Sequence, residues 1–146
     1  MNPFERARIK TTFNALTFAF AFTPLIYYFI ALKIPVNIRE SVSFEMLKNI
    51  WIGIAVICVI AGLTIMNMNP LKFGKVTKDS SHPILPVQNQ MIIAMAIHES
   101  IAIYGLVFYF FSGAKELLNV FVPISIVLVI VDRTRTKIEL IPPKDS

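Results

Sequence analysis

The chain has 146 residues, of which 55% are apolar and 16% charged, with a net charge of +5 and a mean hydropathy of +0.67. Soluble domains carry about 25% charged residues, so this composition excludes an ordinary soluble domain. The basic residues flank long apolar runs instead of forming a patch interleaved with exposed aromatics, which argues against nucleic acid as a partner.

Met1 to Lys10 is polar and basic, through Arg6, Arg8 and Lys10, and leads into an apolar run over residues 13–32. Ala19-Phe20-Ala21 is a nominal signal-peptide cleavage site, but the apolar run continues through Tyr27, Tyr28 and Phe29. A run of about twenty residues is long enough to cross a bilayer, so it reads as a retained first span. Pro24 predicts a kink there, and Tyr27 and Tyr28 are candidate interfacial anchors.

Lys33 to Ser43 reads as a connector, broken by Pro35 and carrying Lys33, Arg39 and Glu40. From Phe44 a short interfacial helical turn is expected, leading into a second span over residues 49–66 with Trp51 near its start. Gly53, Ala55, Ala61 and Gly62 are small positions in that span where another helix can approach, and small residues are also ordinary there. Cys58, the single cysteine, lies inside the same run and excludes an intrachain disulfide.

Residues 67–87 form the longest polar segment, with Pro70, Gly74, Pro83 and Pro86 as breakers and Lys72, Lys75 and Lys78 as charges. His82, before a proline, reads as a solvated loop histidine. A third span follows over residues 90–111. Ser112 to Glu116 is short, so the third and fourth spans should form an antiparallel hairpin. The fourth span, residues 117–131, contains Pro123 and ends at Asp132, Arg133, Arg135 and Lys137, where a polar tail over 132–146 begins. No repeat, heptad pattern or low-complexity tract is read from the chain.

The fold class expected is an all-α, polytopic integral membrane protein with four transmembrane helices forming one membrane domain. Orientation follows from basic residues in the connecting segments. Arg6, Arg8, Lys10, Lys72, Lys75, Lys78, Arg133, Arg135, Lys137 and Lys144 fall on one side, against Lys33, Arg39, Lys48 and Lys115 on the other. This bias places both termini in the cytoplasm (N-in/C-in), and a bacterial-type inner membrane is the expected location.

The third span carries the chemistry. Glu99 lies nine residues after Gln90, so a helix places it about 13 Å in, near the bilayer midplane. An ionised carboxylate there costs at least ~2.5 kcal/mol, so it is expected to be protonated, paired or coordinating an ion. His98, about 100° around the helix, faces it poorly, while Thr64 and Asn67 are candidate partners on the second span. His98 itself is a candidate proton relay, haem or metal ligand, or packed polar residue. One intramembrane histidine supplies no ligand set, so no metal or other cofactor is expected.

His98, Glu99 and Ser100 are consecutive and therefore point to three faces of a helix, not into a triad. No phosphate loop, HExxH or G-x-S-x-G is present, and no enzymatic activity of the chain on its own is expected.

The run Glu99-Ser100-Ile101-Ala102-Ile103-Tyr104-Gly105-Leu106-Val107 resembles the ion-carrying helix of the rotary ATPase c subunits (proteolipids). The resemblance covers about twenty residues, those of the third span. It implies that Glu99 binds and releases a proton or Na⁺, with Ser100 and Tyr104 in the positions that help build the site in sodium-type members. Two functions stay open: ion handling at Glu99, or a small non-catalytic accessory subunit in which Glu99 is an interhelical hydrogen-bonding group. The partners implied are the lipid bilayer and either other membrane subunits or further copies of the chain.

Overall fold

An apolar segment can satisfy its backbone N–H and C=O groups without water only by bonding them internally, and each long apolar run of this chain is helical. The computed structural model describes residues 3–34, 36, 44–73 and 85–136. Over these the chain is all-α: α1 (Pro3–Lys33), α2 (Phe44–Asn67), a 3-10 turn at Pro70–Phe73, α3 (Leu85–Ser112) and α4 (Glu116–Arg135). All four α-helices are long and apolar enough to cross a membrane. Pro35, Arg39, Glu40, His82 and residues 137–146 lie outside the described residues.

α1 passes through Pro24 and α4 through Pro123 as continuous helices. The stretch from Phe44 is the first turn of α2 itself, continuous with the span. Hydroxyls in the apolar helices bond backwards to their own chain, as with Thr23 to the Ala19 carbonyl at 2.9 Å and Thr64 to the Ile60 carbonyl at 2.7 Å. α3 ends at Gly113, whose φ of 65° is left-handed and whose N–H returns to the Tyr109 carbonyl. That is a glycine C-cap, and it lets the chain reverse within three residues.

α3 is the central element, packing against each of the other three helices. Its contacts fix the directions. Phe13 packs with Val87 and Met91, Tyr27 reaches Glu99, and Tyr109 donates to the Ile34 carbonyl at 2.8 Å, so α1 and α3 run parallel. Ser100 meets Cys58 and Tyr104 meets Trp51, so α2 runs opposite to α3. Val129 packs with Met91 and Met95, and Leu118 with Tyr109, so α4 also runs opposite. The α3–α4 approach is closest at Gly105, where a methyl group would stand 3.1 Å from the Leu118 Cα.

The buried faces of these two helices follow 3-4 spacing: Met91, Met95, His98, Ala102, Gly105 and Tyr109 on α3, and Leu118, Val122, Ser125, Val129 and Asp132 on α4. This is a coiled-coil-like seam. It was hidden in the sequence because the outward positions of both helices are apolar as well. Phe18, Phe22, Phe29, Ile57 and Ile60 are among the large apolar side chains left exposed on α1 and α2.

Candidate functional site

The polar side chains of α3 are distributed around its circumference, and each meets a different neighbour. Glu99 is half-buried and turns to α1, where its Oε1 accepts a hydrogen bond from the Tyr27 hydroxyl at 3.0 Å. Ser100 donates to the Ile97 carbonyl of its own helix at 2.6 Å and lies 3.8 Å from the Cys58 sulfur on α2. Tyr104, one turn further along, packs against Trp51 of α2 in a tilted arrangement, with ring centroids 5.5 Å apart. Ser100 and Tyr104 therefore share the α2 side, as their i, i+4 spacing requires, while Glu99 is on the α1 side. Among the described residues, the three do not converge on one point.

His98 is fully enclosed. With its proton on Nδ1, the imidazole donates to Asp132 Oδ2 at 2.6 Å, and neither side chain has any exposure. The antiparallel arrangement explains the encounter. Helical side chains lean towards their own N-terminus, so His98 on α3 and Asp132 on α4 lean towards each other. Behind the ring, Nε2 lies 3.4 Å from the Val59 carbonyl of α2. Gly62 makes that possible, because a methyl group there would overlap Nε2, Cε1 and Cδ2 of the imidazole. Oδ1 of Asp132 and Oγ of Ser125, on the same face of α4, are buried without a hydrogen-bond partner among the described residues.

The residue after Asp132 turns away from α3. Arg133 Nε donates to Asn14 Oδ1 on α1 at 3.0 Å, and its guanidinium lies 5.9 Å from the Phe13 ring centroid. Gln90, also buried, donates its amide to the Ile65 and Met68 carbonyls at 2.6 and 2.9 Å. Ile65 is in the last turn of α2, where its carbonyl also accepts from the Met68 N–H at 3.1 Å, and Met68 lies just beyond, so Gln90 acts as a cap supplied from another helix.

Glu99 stands out in the sequence, and most of its surroundings do not. Tyr27, expected as an interfacial anchor, is the partner of Glu99, whereas Thr64 bonds its own helix. Asp132, expected as the polar end of the last span, is buried inside the bundle, and α4 continues to Arg135. Its signal was the 3-4 spacing it shares with Val129, Ser125, Val122 and Leu118. Among the described residues, no group of three His, Cys, Asp or Glu side chains is placed to hold a metal ion. Compared with known proteins, the chain matches no family model, no curated protein and no solved structure.

Proposed function

We propose that this is an integral membrane protein, in a bacterial-type inner membrane with both termini cytoplasmic, that serves as a small non-catalytic accessory or structural subunit. One observation carries the reading: the polar groups of α3 bond other helices or their own backbone, each towards a different neighbour. In lipid the apolar effect gives helices no reason to associate, so packing and interhelical hydrogen bonds hold a bundle together. Glu99–Tyr27 ties α3 to α1, His98–Asp132 ties α3 to α4, and Gln90 ties α3 to α2. The gathering of Arg8, Lys10, Lys72, Arg133 and Arg135 at one end of the bundle supports the cytoplasmic assignment of that end. The broad apolar faces of α1 and α2 fit contact with lipid and with partner subunits or further copies of this chain.

The second reading is proton or Na⁺ handling at Glu99, as in the c subunits that α3 resembles. One observation favours it: Glu99 is half-buried rather than sealed, and a hydroxyl from another helix lies against it. Reconstituting wild type and Glu99→Gln into liposomes separates the two. The accessory reading predicts no proton or Na⁺ flux from either, and intact assembly of the variant, because an amide still accepts from Tyr27. Flux in the wild type that Glu99→Gln abolishes would establish the second reading instead.

A further inference from the structure

The 3-10 turn at Pro70–Phe73 folds back on the start of α3, fixed there by Asn89, whose Nδ2 donates to the Phe73 carbonyl at 3.1 Å. Between turn and helix lies an open groove of about 570 Å³, lined by Lys72, Phe73, Asn89, Ile92 and Ile93. Its chemistry changes along its length. Lys72 and Asn89, both exposed, present an ammonium and an amide at one end. Ile92 and Ile93, one turn further along α3, form an apolar wall with Phe73. The change from polar to apolar falls close to where the apolar stretch of α3 begins, at Pro86.

The surrounding charge is mainly basic. Arg8, Lys10 and Arg135 are exposed at the same end of the bundle. The carboxylates the helices place there are Asp132, buried against His98, and Glu5 near the start of α1, fewer than the basic residues around them. We propose that this groove binds an anionic phospholipid, with its phosphate at Lys72 and Asn89 and one acyl chain along Ile92 and Ile93. A free anion would leave the isoleucine wall unused, and a zwitterionic lipid would gain little from the cationic end. The site rests on membrane insertion but not on any partner subunit.

The test uses the full-length protein. Carbonate extraction of its membranes comes first, since extraction into the soluble fraction would refute the membrane reading itself. Native mass spectrometry then compares retention of phosphatidylglycerol and phosphatidylcholine by wild type, Lys72→Gln and Lys115→Gln, the last at the opposite end of the bundle. Wild type should hold phosphatidylglycerol in preference. Lys72→Gln should weaken that binding about fivefold, the effect of one basic residue near anionic headgroups, and Lys115→Gln should leave it unchanged. Equal retention of both lipids, or equal responses of the two variants, would overturn the proposal in a protein shown to be inserted.

Discussion

His98 and Asp132 stand 34 positions apart in the chain and 2.6 Å apart across the α3–α4 seam, with no exposure of either side chain. A buried pair of this kind is costly to break from one side, because the remaining group keeps its desolvation and loses its partner. His98→Leu should therefore cost about 3–5 kcal/mol of stability. The double variant His98→Leu/Asp132→Leu should regain most of that loss, since two apolar side chains leave nothing unpaired. Denaturant unfolding in detergent micelles measures both, and a double variant less stable than the single would contradict the assignment.

Gly62 is the counterpart of that histidine on α2. Gly62→Ala should destabilise by about 1–3 kcal/mol through overlap with the imidazole. Gly53→Ala meets open space and should be close to neutral. If the clash is with His98, combining Gly62→Ala with His98→Ala should cost less than the two changes summed. Simple additivity in the unfolding cycle would show that Gly62 matters for another reason.

Tyr27 and Glu99 should be coupled, but weakly. Interhelical hydrogen bonds in membrane bundles average about 0.6 kcal/mol in double-mutant cycles. A cycle of Tyr27→Phe and Glu99→Ala should return a value of that order. Zero coupling would mean that the carboxyl has its main partner elsewhere.

At the other end of the bundle, Lys48 pairs with Glu116, with side-chain exposures of 40% and 68%. Solvent and salt screen such a pair. Lys48→Gln should lower the unfolding midpoint only slightly at low ionic strength, and the difference should disappear in high salt. A large loss that persists in salt would place the pair in a tighter interface than the structure shows.

The sequence made the helices legible because uninterrupted apolar runs leave few alternatives to helix. It was less informative about which face of each helix turns inward. In a soluble bundle, polar outward positions expose the 3-4 seam. Here Ile103, Phe110, Val120 and Val127 are exposed and as apolar as the seam itself. Asp132 shows the consequence: followed by Arg133 and Arg135, it reads as the start of a polar tail, although its spacing belongs to the buried face. Glu99 was conspicuous as a carboxyl in an apolar run, but Tyr27 was not, since it lies 72 positions away and its ring suits an interface equally well. The likeness of Glu99, Ser100 and Tyr104 to an ion site rests on linear spacing, and the helix turns them towards different neighbours.

The native mass of the complex, gently solubilised from its own membrane, tests the proposed role most directly. The expected result is a hetero-complex that contains one or a few copies of this chain beside larger membrane subunits. A homo-oligomeric ring built from this chain alone would contradict it. That result would return Glu99 to the position of an ion carrier, to be tested next by carbodiimide labelling in competition with Na⁺.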